Sequence, residues 1–173
     1  QEKLKLANVL LIGAGGLGCL TAELLTRAGV GKLTILDADQ IETSNLQRQV
    51  AFQPQDIGFY KAETLAKRLK QINPHIQVEA HNIRLTEDNA VDFIASQDLV
   101  LDGCDQFATR YLVNQVCTQL AVSLISASAI PMRGNCLWSQ QTQLVMNVFF
   151  QKTKVRMKVC AVPIRACWQL HPM

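Results

Sequence analysis

The sequence predicts an α/β fold, a doubly wound and mostly parallel β-sheet with helices on both faces. Three observations predict it. Short continuous apolar runs recur along the chain, as in Val9-Leu10-Leu11-Ile12 and Leu99-Val100-Leu101-Asp102; such runs mark parallel strands buried on both faces. Segments with apolar residues at helical spacing fall between them. A G-x-G-x-x-G, Gly13-Ala14-Gly15-Gly16-Leu17-Gly18, directly follows the first run, where a strand must turn into a helix.

Taken in order, Val9–Ile12 is the first strand. Leu17, Leu20, Leu24, Leu25 and Ala28 then repeat at helical spacing and close near Gly29. Leu33–Asp37 is a second strand, followed by a polar loop from Ala38 to about Gly58. Ala62, Leu65, Ala66, Leu69 and Ile72 make the next helix, ended by Asn73-Pro74. Ile76–Ala80 alternates as a strand, and the residues from Asp88 to Ala95 suit a short helix. Leu99–Asp102 is a buried strand, Thr109–Leu120 a helix and Ser123–Ala127 a last strand. This alternation, with right-handed crossovers, is that of a Rossmann-like sheet. In such sheets ligands sit outside the carboxyl ends of the strands, which directs attention to the residues just past Ile12, Leu36, Leu101 and Leu124.

Composition excludes several classes. The 173 residues are near half apolar, enough for one globular core. No apolar run reaches the ~18 residues of a membrane span, and no basic, apolar leader opens the sequence, so a cytoplasmic protein is expected. The six cysteines form no C-x-x-C pair and read as reduced, mostly buried thiols. The net charge of +3 is uneven: from Asn135 onward there are five basic and no acidic residues. Neither nucleic acid nor membrane is the expected partner of that basic stretch, for the reason given below.

The glycine loop suggests a ligand. Gly13, Gly15 and Gly18 let the chain turn tightly, their bare backbone can approach a phosphate, and the helix start offers free N–H groups. Asp37 ends the second strand, placed to accept ribose hydroxyls. These features alone fit NAD as well as ATP. The loop Ser44-Asn45-Leu46-Gln47-Arg48-Gln49, Lys61 at the next helix start and Asp105 past the fourth strand change the balance. Arg48 and Lys61 can neutralise β- and γ-phosphates, and Asp105 can hold Mg²⁺ between them. A nicotinamide site needs neither the extra cations nor the carboxylate.

LIGAGGLG, AGVGKLTILDAD, SNLQRQ, GFYKAE, INPHI, LVLDGCDQFATRYLVN and SASAIPMRG together resemble the MoeB/ThiF/HesA-type adenylyltransferases, prokaryotic relatives of ubiquitin-activating enzymes, over about residues 6–134. The resemblance implies ATP-dependent adenylation of the C-terminal glycine carboxylate of a small ubiquitin-fold sulfur-carrier protein, with Arg48, Lys61 and Asp105 as the catalytic set. It implies a phosphate contact at Gly16, a ribose ligand at Asp37, and phosphate contacts at Asn45, Gln47 and Arg48, within a binding segment Ser44-Asn45-Leu46-Gln47-Arg48. It further implies a second phosphate clamp at Lys61 and the magnesium ligand at Asp105. Gln106 stands where the family has Asn, which puts one adenine- or carboxylate-side hydrogen bond in question. Arg110 and Asn114 read equally well as site residues and as helix surface.

The family also carries an R-Y-x-R-Q segment that delivers an Arg across a homodimer, and two C-x-x-C zinc pairs; the 173 residues hold neither. Beyond Gly134 the likeness ends, and the expected division is a nucleotide-binding domain over 1–134 and a disordered non-family tail over 135–173. The tail reads as translated out of frame. With synonymous codons chosen freely, the neighbouring frame returns a Gln-Leu strand, a Cys-Leu-Phe-Pro neighbourhood and the missing acids. A truncated paralogue that binds nucleotide or a ubiquitin-like partner without turnover is the alternative function. An NAD-dependent oxidoreductase ranks behind both.

Overall fold

The computed structural model describes residues 1–130 and 133–139. The chain runs α1 (Glu2–Leu6), β1 (Asn8–Ile12), α2 (Gly16–Ala28), β2 (Lys32–Leu36), α3 (Lys61–Ile72), β3 (Gln77–His81), α4 (Ala90–Ile94), β4 (Leu99–Asp102), α5 (Phe107–Leu120), β5 (Ser123–Ile130) and β6 (Arg133–Ser139). The six strands form one sheet in the order β3-β2-β1-β4-β5-β6. The first five are parallel, and β6 closes one edge antiparallel to β5. This is the predicted doubly wound architecture. Two elements differ from the sequence reading: α1 precedes the first strand, and β6 carries regular structure to Ser139, past the boundary expected at Gly134. The out-of-frame reading of the tail, with Cys160 and Cys167, lies from residue 140 outside the described residues.

Alternation along β1 shows why this sheet needs helices on both sides. Val9 and Leu11 join one core with residues of α2 and α3, while Leu10 and Ile12 join a second with α4 and α5. A strand buried on both faces has no polar face to show, hence its unbroken apolar run. On α3 the periodicity holds: Ala62, Leu65, Ala66 and Leu69 are buried.

On α2 the outcome is reversed. Its large residues, Leu17, Leu20 and Leu24, are 39, 51 and 58 % exposed, whereas Gly18, Cys19, Ala22 and Thr26 are buried. The sheet takes this helix at close range, so the small residues face inward and Leu17, Leu20 and Leu24 form a stripe outside, while Leu25 packs partly buried against the core. Its end is sharply set, because Gly29 adopts φ 84° and its N–H donates to the Leu25 and Thr26 carbonyls of the last turn. Among the described residues, no helix is long and apolar enough to cross a membrane.

Candidate nucleotide site

The carboxyl ends of β1, β2, β4 and β5 open into a cavity of about 780 Å³, large enough for a nucleotide-sized ligand. Its floor is the loop between β1 and α2. Gly13 has φ 91°, a left-handed conformation, and a β-carbon there would meet the Gly103 backbone at 3.1 Å. The N–H of Gly13 donates to the Leu36 carbonyl (2.9 Å) and that of Gly103 to the Ile12 carbonyl (2.9 Å), so the loops above β1 and β4 lie against each other. Gly15 and Gly16 line the cavity beside the start of α2. Gly18 is buried beneath; its part is to let the helix approach the loop.

Asp37, half-buried at the end of β2, lines the cavity. One carboxylate oxygen accepts the N–H of Ala14 (2.7 Å), the other that of Asp39 (2.8 Å). Burial pushes its carboxyl above the usual range, against the pull of those two N–H groups and of Lys61. The folded protein therefore keeps a proton that the unfolded chain releases from 3.8 upward, so this group's linkage makes stability fall as pH rises through that interval. A ligand whose hydroxyl groups donate to this carboxylate would show the opposite sign. Adenosine affinity is expected to rise with pH, with a midpoint above 3.8, and to lose that step in Asp37→Asn. Calorimetric titration across the acid range checks both.

The cations come from three places. Arg48 leaves the loop that follows the 3-10 turn Thr43–Asn45, and its guanidinium donates to the Ser44 carbonyl (3.0 Å). Lys61, the first residue of α3, is buried, with its ammonium 3.1 Å from Asp39. Arg84, on the loop after β3, lies 3.6 Å from the other oxygen of Asp39. Asp105 and Gln106, both exposed, border the cavity where β4 passes into α5. Behind them Arg110 is buried and donates to the carbonyls of Cys104 (2.9 Å, with a second contact from its other nitrogen) and Ala127 (2.9 Å). It thereby ties the Asp105 loop to β5. Ser126 donates to Asp102 (2.6 Å), joining the same two strand ends.

The structure thus brings Gly13, Gly15, Gly16, Asp37, Arg48, Lys61, Asp105 and Gln106 to one cavity. Ser44, Asn45, Leu46 and Gln47 do not line it. Asn45 is buried and accepts the Glu42 N–H (3.2 Å), and Ser44 donates to the Glu42 carboxylate (3.2 Å); together they shape the turn that carries Arg48. Arg110 lines the cavity from a buried position, and Asn114 is buried within α5 away from it.

Sequence reasoning missed Gln49, Asp39 and Arg84. Gln49 is 3 % exposed, borders the cavity, and its buried Oε1 lacks a protein partner. Its signal was its place in SNLQRQ. The doubled acid of Asp37-Ala38-Asp39 could have flagged Asp39, whereas nothing in the sequence distinguishes Arg84.

Cys104 also lines the cavity. Burial, with the nearby Asp102 charge, pushes its thiol far up, which disfavours the nucleophilic thiolate. Burial likewise raises Cys19 to about 12 and Cys117 to about 12.

The sequence matches the ThiF family over residues 1–165. This chain belongs to the ThiF family. Among curated relatives of this ThiF-family chain, the "Adenylyltransferase and sulfurtransferase MOCS3" of Aedes aegypti is 43 % identical over 134 residues, covering 78 % of the chain and 31 % of the relative. The "Sulfur carrier protein adenylyltransferase" of Thermus thermophilus is 45 % identical over 125 residues, 72 % of the chain and 46 % of the relative. The "Molybdopterin-synthase adenylyltransferase" of Haemophilus influenzae is 43 % identical over 134 residues, 78 % and 55 %. The ThiF-family chain therefore spans about a third to a half of the length of these relatives. Two solved Escherichia coli structures share its fold. MccB with ATP superposes with a TM-score of 0.75 at 27 % identity, covering 81 % of this chain and 42 % of that one. The tRNA N6-threonylcarbamoyladenosine dehydratase TcdA with ATP gives 0.70 at 28 %, covering 72 % and 52 %.

Proposed function

We propose that this protein uses ATP to adenylate the C-terminal glycine carboxylate of a small ubiquitin-fold sulfur-carrier protein. The observation that carries the reading is the convergence of Arg48, Lys61 and Asp105 with Asp37 on the cavity above the glycine loop. The carrier's carboxylate oxygen attacks the α-phosphorus. A new P–O bond forms, the bond from the α-phosphorus to the α–β bridging oxygen breaks, and pyrophosphate leaves with that electron pair. Asp37 holds the ribose; the backbone at Gly15 and Gly16 approaches the phosphates. Arg48 and Lys61 stabilise the charge that grows on the leaving pyrophosphate. No side chain need accept a proton, because the carboxylate is already ionised; the rate comes from alignment and fixed charge.

The site suits magnesium in one manner. Among the described residues no three His, Cys, Asp or Glu side chains gather as a metal cage. Asp105 is a single exposed carboxylate beside the phosphate cations, and one or two carboxylates plus substrate phosphates is the usual magnesium arrangement. Bound there, Mg²⁺ would supply further charge neutralisation. Zinc, usual in the resembling enzymes, has no C-x-x-C pair to hold it in this sequence. The exposed stripe of Leu17, Leu20 and Leu24 supports a homodimer, since covering it removes apolar surface from water. A cytoplasmic location suits the free thiols of Cys19, Cys104 and Cys117.

ATP–pyrophosphate exchange tests the proposal. Exchange is expected only when a carrier ending in Gly-Gly is supplied, with AMP transferred to its terminus. Asp105→Asn is expected to lower exchange about a hundredfold, a typical loss for one group acting on developing charge, while adenosine binding stays intact. ATP binding without exchange for any carrier would favour the binding-only paralogue. Saturable NAD binding with none for ATP would favour the oxidoreductase.

A further inference from the structure

Asp39 has no role in the adenylation scheme, yet two of the cavity's cations meet on it. Its Oδ2 lies 3.1 Å from the Lys61 ammonium and its Oδ1 3.6 Å from the Arg84 guanidinium. The backbone sets this arrangement. The Lys61 N–H donates to the Asp39 carbonyl (3.0 Å), and Gln40 forms a bridge with Tyr60 beside it. Lys61 is nearly enclosed, its side chain 9 % exposed, whereas those of Asp39 and Arg84 are 54 and 63 % exposed. A buried ammonium needs an anion close by, and Asp39 is that anion. The two cations proposed to meet phosphate are therefore held differently: Arg48 by a neutral carbonyl, Lys61 by a full negative charge.

We propose that Asp39 is a stand-in anion that holds Lys61 and yields it to a phosphate on nucleotide binding, keeping Arg84 as its own partner. The inference rests on the adenylation reading, since it concerns how that site takes up and lets go of polyphosphate. A phosphate carries more charge than a carboxylate and makes stronger charge-assisted bonds to a desolvated ammonium, so it wins Lys61. The released carboxylate stays compensated by Arg84 and by water, because both side chains are exposed. Arg84 thus lowers the penalty of the exchange. Asp39 is a positioning residue: it touches neither substrate nor reacting atoms, and it weakens the grip on pyrophosphate enough for the product to leave. It also works against capture of singly charged anions, which offer Lys61 no more than Asp39 does.

The test is titration of the full chain with inorganic pyrophosphate in magnesium-free buffer, beside adenosine as a phosphate-free control. Asp39→Asn keeps the shape and removes the charge. It is expected to bind pyrophosphate about three- to fivefold tighter, the range of a partly exposed charge pair, with adenosine affinity unchanged. Arg84→Gln is expected to go the other way, severalfold weaker, because Asp39 then has Lys61 alone. Asp39→Glu keeps the charge and is not expected to tighten binding. Weaker pyrophosphate binding by Asp39→Asn, or an equal shift for adenosine, would overturn the inference and make Asp39 a brace. If Asp39→Asn fails to fold, as read by circular dichroism, Arg84→Gln decides: pyrophosphate bound as well as by the wild type would overturn it. If the wild type binds neither probe, the nucleotide reading itself falls, an outcome distinct from a wrong-signed variant on a binding-competent wild type.

Discussion

Lys61→Ala is expected to lower carrier-dependent ATP–pyrophosphate exchange by about two to three orders of magnitude. The ammonium is held inside the cavity wall by its place as the first residue of α3 and by Asp39. A fixed charge in a site shielded from water acts on developing negative charge without waiting for solvent to rearrange. Alanine leaves a gap that water fills, and water must reorient during the step. Stability should change little by comparison, because Asp39 retains Arg84 and a buried charge is removed along with its desolvation penalty. Exchange kinetics beside a thermal melt separate the two effects. Exchange within tenfold of the wild type would remove Lys61 from the catalytic set.

Gly18→Ala is expected to destabilise the fold by about 3 kcal/mol, the upper range for overpacking, and to abolish nucleotide binding. A β-carbon at this position would lie 1.9 Å from the Gly13 carbonyl oxygen, a backbone atom that no side-chain rotation can move aside. Either α2 withdraws from the sheet or the Gly13 turn opens, and each displaces the phosphate loop. For a chain of this size that loss corresponds to a fall of about 6–12 °C in Tm, measurable by calorimetry. A wild-type Tm would show that the loop and helix can part without strain.

The strands were legible because both faces of the central sheet are buried and the runs are continuously apolar. The α3 helix was legible because its stripe follows the core. The α2 stripe misled in part, since Leu17, Leu20 and Leu24 lie outside while Gly18, Cys19 and Ala22 face in and Leu25 packs against the core. Periodicity identifies a helix but not which side it shows when packing distance, rather than side-chain size, is limiting. The edge strand β6 pairs with β5 alone, antiparallel to it.

Part of the site could be read as well. Glycines at a strand–helix turn and charged residues just past strand ends declare themselves, because few other residues suit those backbone positions. Asp37, Arg48, Lys61 and Asp105 are such cases. What was missed or left open acts across the sequence: Arg84 reaches Asp39 from the loop after β3, and Arg110, equally readable as helix surface, holds the Asp105 loop to β5.

The sequence by itself determined that a parallel sheet would form, where the glycine loop would lie and which cations would stand near it. Local pattern carries that information, since strand burial, glycine turns and loop charge are each written in adjacent residues. Only the tertiary structure decided which anion Lys61 faces, that Asn45 shapes a turn, and that Leu17, Leu20 and Leu24 of α2 point outward. Those outcomes depend on distances between residues far apart in the chain, which are fixed when the helices settle onto the sheet.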